Sequence, residues 1–528
     1  MRYKNLATPR ILSSAVFTCS AFLFITTCFN NSALAQTYDL LDVYQATQKN
    51  DPQWAQEEEG YFAKAESKNI ARAGLLPQVQ AGITQSNNRY TGTSASFSLD
   101  ADKLASCQLN ASDSVNIGTA ITALNCLAAP EESSSSFSST SYNVSIVQPI
   151  VRLDRWYQYK GSEAISEQAK KERERALQDL ILRTSEAYFN VLRANQAYLY
   201  ASQQEENTQA QLNGVQRRYE KGLLNSSDVY QIQALHDISY AYKITAENML
   251  SNAVNMLEKM TQIPGIQIAA LPDDLPIELP RPSTAQEWVN IAKQNSPELK
   301  IATLGIAAAN HNHQSKKSLH APTVDFFASY NQTESDGSTA TLNQGSTNYT
   351  SAGVNLNVPI FTGGYNYATA KQAKHQMKQA EFIKENVYQD VITNTQILFR
   401  NVVNTVTQVK AQQSAVMSNQ RAYQSIVRGY EQGIKNASDL AVSQKDLYSA
   451  QKDFSNAKYD FILDALKLKR VTGILSEDDL KLINQRLNQS DQNANKEEFD
   501  PNHYPVKNEF SREKEPKKSL VEVIRGWF

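Results

Sequence analysis

The sequence predicts a mainly α-helical chain that adds four membrane β-strands, and three observations support this fold class. Residues 162–213 and 365–428 contain neither glycine nor proline, and their apolar residues recur at three- and four-residue steps, as in long coiled-coil helices. Segments ahead of each long helix alternate apolar and polar residues, which is typical of strands. The whole order occurs twice, which indicates an internal duplication.

The composition argues against several function classes. The 528 residues include 52 basic and 54 acidic side chains, so the formal net charge of −2 gives no electrostatic argument for a nucleic-acid partner. No phosphate loop, nucleophile motif or carboxylate pair stands out, so we expect neither an enzyme nor a cofactor. His311 and His313 are two residues apart on a predicted helix and face different sides, so they do not form a metal-binding pair.

Residues 1–35 have the pattern of a secretory signal peptide. Basic residues precede a largely apolar run from Ile11 to Phe29, and Ala33-Leu34-Ala35 offers a cleavage site of small residues. An uncleaved membrane anchor is the alternative. The threonines before Cys28 are bulkier and more polar than lipoprotein signals usually tolerate, so we expect a product without a lipid anchor. The mature chain lacks an apolar run long enough for a spanning helix, so any membrane segment must consist of strands.

The chain is predicted to divide into a signal peptide, two repeats, a linker and a tail. Each repeat has a short amphipathic helix, a break before proline, a second helix, a strand hairpin, a long helix, a glycine turn and a return helix. The linker is rich in proline, and the polar tail is expected to be mobile. The predicted bounds are 1–35 for the signal peptide; 36–262 for the first repeat, with strands at about 77–88 and 141–151 and a long helix at about 155–221; 263–283 for the linker; 284–486 for the second repeat, with strands at about 322–333 and 349–361 and a long helix at about 365–432; and 487–528 for the tail.

In each hairpin, one polar loop is expected to connect the two strands, and both loops are expected to lie in solvent. The first, at about residues 87–140, contains Cys107 and Cys126, and the second, at about 332–350, is shorter. An exported chain permits a disulfide, so we favour a Cys107–Cys126 bond within the first loop, with two free thiols as the alternative.

Two related turns are predicted to reverse the long helices. They share a tyrosine, a glycine and an aspartate at the same internal spacing. Gly222 and Gly433 are expected to end the long helices, because glycine readily adopts the left-handed conformation found there. Ser438 or Asp439 is the expected N-cap of the second return helix. The two turn segments are residues 219–229 and 430–440.

The alternating strands imply a sheet with one apolar and one polar face. In water this would be an ordinary half-buried sheet, but the flanking helices have narrow coiled-coil stripes and no broad apolar face to cover it. A lipid-facing exterior around a hydrated lumen is therefore favoured. The competing interpretation is a soluble periplasmic coiled-coil tether or chaperone.

A membrane sheet of four strands requires further chains. Lipid excludes open sheet edges, because unpaired backbone groups there cost several kcal/mol each. Four strands cannot enclose an aqueous lumen, since the smallest common barrels need about eight strands. One chain is therefore insufficient, and three chains would give about twelve strands around an open interior. The long helices would continue this barrel as an α-helical coiled-coil barrel.

The sequence resembles the TolC family of bacterial outer-membrane exit ducts over about residues 38–484. The resemblance implies a homotrimer in the outer membrane of a Gram-negative bacterium, with a periplasmic helical tunnel. It also implies efflux of small molecules or type I protein secretion, driven by an inner-membrane transporter of RND, ABC or MFS type through a periplasmic adaptor. The motifs that carry it are Asn50-Asp51-Pro52, Leu76-Pro77-Gln78, Tyr188-Phe189-Asn190-Val191-Leu192, Gly222 to Asp228, and Val358-Pro359-Ile360-Phe361 with Gly363-Gly364.

The same resemblance implies a periplasmic gate at the two turns. Tyr430 would donate a hydrogen bond to Asp228, and Lys435 would bond Ser227 of a neighbouring chain. Such a charge-assisted bond is worth about 1.5 to 3 kcal/mol, enough to bias a closed state that an adaptor can still open. The family commonly has arginine where Lys435 stands, and lysine lacks its bidentate fork, so this link is expected to be looser here.

An acidic ring around the pore axis is also implied by the resemblance, with Asp439 as its member in each chain. Facing carboxylates repel one another and attract cations. A second aspartate expected one helical turn later is replaced by Val442, which puts cation selectivity in question. From the residues alone, Asp228 and Asp439 are equally well explained as ordinary helix N-caps.

Overall fold

The computed structural model describes residues 37–94, 131–269, 277–336 and 345–494. The predicted signal peptide, the proposed Cys107–Cys126 pair and residues 495–528 of the tail lie outside this range. Long helices dominate the described chain, and one sheet of long strands accompanies them, which confirms the predicted fold class.

The first repeat has the predicted order of elements. Asp39 caps its first helix, and the Asp51 carboxylate accepts hydrogen bonds from the first turn of the second helix, where Pro52 occupies the first helical position. The long helix has 68 residues, which corresponds to about 100 Å. The elements are β1 (Thr37–Tyr38), α1 (Leu40–Asn50), α2 (Pro52–Ala65), α3 (Ser67–Ala73), β2 (Gln78–Ser94), β3 (Glu131–Val151), α4 (Leu153–Glu220) and α5 (Ser226–Thr261).

The second repeat has the same order. Its long helix has 67 residues, and its last helix continues to Ala494, beyond the predicted repeat boundary at residue 486. Among the described residues, no helix combines the length and apolar character needed to span a bilayer. The elements are β4 (Gln267–Ile268), α6 (Ala285–Asn295), α7 (Pro297–Lys317), a 3-10 turn (Ser318–His320), β5 (Thr323–Ser335), β6 (Gly345–Asn357), α8 (Tyr365–Glu431), α9 (Ala437–Thr472) and α10 (Glu477–Ala494).

The described part of the segment expected to be a linker is an ordered part of the fold. Strand β4 pairs in parallel with β1, and Ala269 donates a backbone hydrogen bond to Tyr38. The hydroxyl of Tyr188, from the middle of α4, donates to the Ala269 carbonyl at 2.7 Å. Backbone pairing therefore holds the described part of this predicted linker against the first repeat.

The main hydrophobic core lies where the middle of α4 meets the short N-terminal and C-terminal helices. Tyr188 and Phe189 are fully buried there, with Trp288 and Leu480. Arg470 of α9 lies at the edge of this core and forms ion pairs with Asp179 and Glu298, each at 2.5 Å. These ion pairs connect helices α4, α7 and α9, and thus both repeats.

The helices form a layer. Between the core and the glycine turns, helices α5, α4, α9 and α8 lie side by side in that order, so that α5 and α8 are the edges of the layer. Between the core and the sheet, α7 takes the place of α9 between α4 and α8.

The four long strands form one antiparallel sheet in the order β2-β3-β5-β6, so both hairpins contribute to the same sheet. Strand pairing extends past the predicted bounds, to Ser94 and from Glu131 in the first hairpin. The predicted first loop, residues 87–140, was therefore too long, because serine-rich residues that favour loops are held in the ladder. Among the described strands, β2 and β6 are edges that pair along one side only.

The strand register separates the side chains by polarity. Residues directly opposite one another project from the same face of a sheet. The row Val79, Ile146, Ala328, Ala352 lies on an apolar face, and the row Gln80, Ser145, Ser329, Ser351 lies on the polar face. On the polar face the hydroxyls of Ser329 and Ser351 are 2.8 Å apart. These two adjacent rows alternate in polarity as expected from the sequence. Further from the helices the first face becomes mixed, since its row there is Ile83, Tyr142, Gln332 and Asn348.

Candidate functional site

The two long-helix turns have the same backbone geometry. Gly222 has φ +72° and Gly433 has φ +75°, the left-handed conformation in which glycine is favoured. At each turn the glycine N–H bonds the tyrosine carbonyl three residues earlier, at 2.8 Å for Tyr219 and 3.0 Å for Tyr430. The next N–H bonds the carbonyl five residues before it. Both turns are Schellman motifs, which explains why glycine recurs at this position. The tyrosines contribute only backbone carbonyls to the motif.

The return helices begin earlier than expected. Helix α9 starts at Ala437, and its N-cap is Asn436, so the expectation of Ser438 or Asp439 as N-cap was wrong. Asp439 is the third residue of the helix: its N–H donates to the Asn436 side chain at 2.7 Å. Its carboxylate accepts from the Asn436 N–H at 3.5 Å. This capping box satisfies backbone donors that a helix start leaves unpaired.

The first turn repeats this arrangement. Asn225 is the N-cap of α5, and its N–H donates to the Asp228 carboxylate at 3.3 Å. The expected gate carboxylate Asp228 therefore also stabilises its own helix start. Any substitution of Asp228 changes both roles.

The tips of the two hairpins pack together within one chain. The guanidinium carbon of Arg218 lies 5.3 Å from the ring centroid of Tyr430, within the range of a cation–π contact. Beside it, Ala437 at the start of α9 packs on a small buried cluster at the first turn. The buried members of this cluster are Leu212, Val215 and Ile232.

A row of polar contacts, here called the polar seam, runs between α4 and α9 from the turns toward the core. The Gln211 amide donates to Gln444 at 3.1 Å, and Asn207 donates to the Tyr448 hydroxyl at 2.8 Å. The ring of Tyr448 stacks on Tyr200 at 6.3 Å between centroids. Burial raises the pKa of the Tyr448 hydroxyl above its ordinary value, so it remains a neutral hydrogen-bonding group. The seam fastens the first hairpin to the second.

The expected gate residues lie at one end of the helical layer. The Lys435–Ser227 bond is expected with a neighbouring chain, so a single chain can display only the Tyr430–Asp228 bond. Among the described residues, Tyr430 contacts Arg218 and no hydrogen bond joins it to Asp228. Lys435 is exposed, and its Nζ lies 3.9 Å from the Asp439 carboxylate. Ser227 is exposed at the first turn.

Two residues at this site were missed by the sequence reasoning. Arg218 and Gly429 occupy equivalent positions, each directly before the turn tyrosine. A Cβ atom at Gly429 would lie 2.9 Å from Cγ of Lys435, so the glycine provides room for the lysine stem. The difference between the two repeats at this position was visible in the sequence. It is the signal that could have identified both residues.

The other residues considered from the sequence lie elsewhere. The His311 ring stacks on Tyr157 at 6.5 Å between centroids, and its Cβ would lie 3.5 Å from a Cβ at Gly161. In the part of the chain that the structure describes, no group of three or more His, Cys, Asp and Glu side chains could hold a metal ion. Val442 is 44% exposed on the first turns of α9.

Comparison with known proteins gives a consistent result. The family model described as "Outer membrane efflux protein" matches residues 43–261 and 288–474, which are the two repeats. Outer membrane protein TolC of Escherichia coli strain K12 is 26% identical over 466 residues, which cover 86% of each chain. The alkaline protease secretion protein AprF of Pseudomonas aeruginosa is 23% identical over 385 residues, covering 72% of this chain and 73% of AprF.

Solved structures agree with the fold. The Campylobacter jejuni CmeC outer membrane channel superposes with a TM-score of 0.64 at 15% identity, covering 85% of this chain and 90% of CmeC. The open-state MtrE outer membrane channel of Neisseria gonorrhoeae gives 0.58 at 18% identity, covering 83% and 90%.

Proposed function

The chain belongs to the outer membrane efflux protein family, and we propose that three copies of it form one continuous exit duct through the outer membrane and periplasm. The family consists of outer-membrane channels for efflux and type I secretion, with a helical tunnel in the periplasm. The proposal concerns the assembly, the gate and the partners of this particular chain.

The observation that carries the proposal is the four-stranded sheet with two unpaired edges. Its apolar face fits a lipid exterior, and its polar face fits a hydrated lumen. Edge strands β2 and β6 expose backbone donors and acceptors that lipid cannot satisfy. Pairing β2 of one copy with β6 of the next removes every edge. Three copies then give a closed barrel of about twelve strands.

The helical layer also has edges that lack cover in a single chain. Apolar side chains recur at four- and seven-residue steps on α5, as expected for a helix that packs against a partner helix. Exposed apolar side chains also line α8, the opposite edge. We infer that α5 of one copy packs against α8 of the next. The exposed side chains are Ile238 (51%), Tyr242 (55%), Met249 (58%) and Met256 (64%) on α5, and Phe382 (71%), Ile383 (51%), Ile397 (41%) and Met417 (52%) on α8.

The gate is proposed at the paired turns. The hairpin tips are held to each other by Arg218 and Tyr430 within one chain. In the closed trimer, Tyr430 would bond Asp228, and Lys435 would bond Ser227 of the neighbouring chain. Asp439 from each copy would form an acidic ring. Opening then requires the tips to separate, which a periplasmic adaptor bound to the hairpins would promote.

Channels of this family work with periplasmic adaptors and inner-membrane pumps. We propose that this chain does the same, with a pump of RND, ABC or MFS type, and that it acts passively without an enzyme activity of its own. The pump selects the cargo, which includes small molecules, proteins or both.

The test is to purify the protein from the outer-membrane fraction and measure conductance in planar bilayers. The proposal predicts long-lived channels and a trimer in detergent. Met249→Lys should weaken the trimer, because it places a charge in the α5 stripe. Asn248→Lys adds the same charge at an adjacent exposed position and serves as the control. A soluble monomer without channel activity would contradict the duct and favour a periplasmic tether.

A further inference from the structure

One row on the polar face of the sheet contains two apolar side chains, beside one amide and one glycine. Gln78, Val147, Phe327 and Gly353 lie directly opposite one another across the four strands. Two residues further along each strand, the corresponding row is Gln80, Ser145, Ser329 and Ser351. Phe327 is therefore an aromatic side chain without a polar group on a face that carries mainly polar side chains. A second aromatic residue, Tyr349, lies on the same face opposite Asn331 and bears a hydroxyl.

Gly353 makes room for this ring. A Cβ atom at Gly353 would lie 3.1 Å from two carbons of the Phe327 ring, so the ring rests on the backbone of β6. An aromatic ring that covers a glycine stabilises strand pairing, which gives a reason for the position of the Phe327 ring over β6. Phe327 is nevertheless 37% exposed, so part of the ring remains available to a molecule on this face.

Negative charge lies next to the ring. Asp325 precedes Phe327 by two residues on the same face and binds Arg152 at 3.3 Å. Arg152 also binds Asp154 at 3.1 Å, so two carboxylates share one guanidinium and the group carries a net negative charge. Among the described residues, Oδ1 of Asp325 is buried without a hydrogen-bond partner.

We propose that Phe327 and Asp325 form a contact site for aromatic cations at the periplasmic end of the barrel lumen. The inference rests on the proposed trimer, in which the polar face lines the lumen and three rings surround one axis. Aromatic rings attract cations through their faces, and the neighbouring carboxylates favour a positive charge. Both residues lie at the start of β5, directly after the helices, so cargo leaving the helical tunnel meets them first.

The test is block of single-channel current by tetraphenylphosphonium, with tetrabutylammonium as an aliphatic cation of the same charge. We expect stronger block by the aromatic cation. Phe327→Thr should weaken that block roughly tenfold, within the range of cation–π contacts, and Phe327→Tyr should retain it. Asp325→Asn should weaken block by both cations alike.

Phe326→Leu is the matched control. Phe326 is also 37% exposed, but it lies on the apolar face, opposite Val354. Its substitution should leave block unchanged. Normal conductance with equal block in the wild type and Phe327→Thr would overturn the contact site and leave the duct intact. Absence of any conductance in the wild type would overturn both.

Discussion

The contact between Arg218 and Tyr430 gives the sharpest test of the gate. Arg218→Gln removes the cation, and Tyr430→Leu removes the ring. A partly exposed cation–π contact contributes about 0.5 to 1 kcal/mol. Three symmetric copies would contribute about 1.5 to 3 kcal/mol, which corresponds to a factor of about 10 to 150 in the ratio of closed to open duct.

The assay is single-channel recording in planar bilayers. Both substitutions should raise conductance or the time spent open. Tyr430→Phe keeps the ring and removes the hydroxyl, so an increase in this variant would isolate the bond to Asp228. Asp228→Ala should also raise conductance, but it breaks a capping box and costs about 1 kcal/mol of helix stability as well.

Arg217→Gln is the control for the loss of charge. Arg217 precedes Arg218, is exposed and lies at the same hairpin tip. It should leave conductance unchanged. Equal conductance in the Arg217→Gln and Arg218→Gln variants, together with no change in Tyr430→Leu, would refute the contact as part of the gate.

Three further predictions concern stability, measured by thermal unfolding in detergent. Gly473→Ala should cost more than about 2 kcal/mol of unfolding free energy, because the backbone has φ +78° and the new Cβ would lie 2.5 Å from the Asn295 carbonyl oxygen. Gly433→Ala should cost only about 1 kcal/mol, because that glycine has φ +75° but its new Cβ would meet open space. Arg470→Gln should cost about 1.5 to 3 kcal/mol because it removes the charged partner of Glu298 and of the more exposed Asp179. Asp464→Asn should raise the Tm at pH 7, and this gain should vanish as the pH falls toward 4.

The sign of the Asp464 effect follows from its surroundings. Burial raises the pKa of this carboxyl, although the Thr405 hydroxyl donates to it at 3.0 Å. A carboxyl with a raised pKa in the folded state favours folding when protonated, and that contribution is lost as the pH rises through the folded pKa. The neutral amide avoids this loss. A constant Tm difference between pH 4 and pH 7 would show that charge is not the cause.

The order of the long helices, strand hairpins and glycine turns was predicted from the sequence, whereas strands β1 and β4 and helix α10 were not. Two chemical signals did most of this: proline after a capping residue, as at Pro52, and apolar residues at helical or strand spacing, as around Tyr188 and Val79. The left-handed glycines at positions 222 and 433 were also foreseeable. Each of these signals acts over a few neighbouring residues, which a single sequence displays directly.

Other features depend on partners distant in the chain. Serines at 138 and 139 have low strand propensity, but ladder pairing with β2 and β5 holds them extended. Asn436, Ser438 and Asp439 are all good helix caps, so composition could not select the first. The contact of Arg218 with Tyr430 joins two repeats. The difference between Arg218 and Gly429 marks the position in the sequence, but it does not identify the contact partner. The expected bond of Tyr430 to Asp228 and that of Lys435 to Ser227 of a neighbouring chain remain predictions.

The most direct test of the proposed assembly is the mass of the detergent-purified complex by native mass spectrometry. Closure of the sheet edges β2 and β6 predicts a particle of three processed chains, and Met249→Lys should shift it toward smaller species while Asn248→Lys does not. A stable particle of one chain that still conducts ions would contradict the account, because a four-stranded sheet cannot enclose an aqueous lumen.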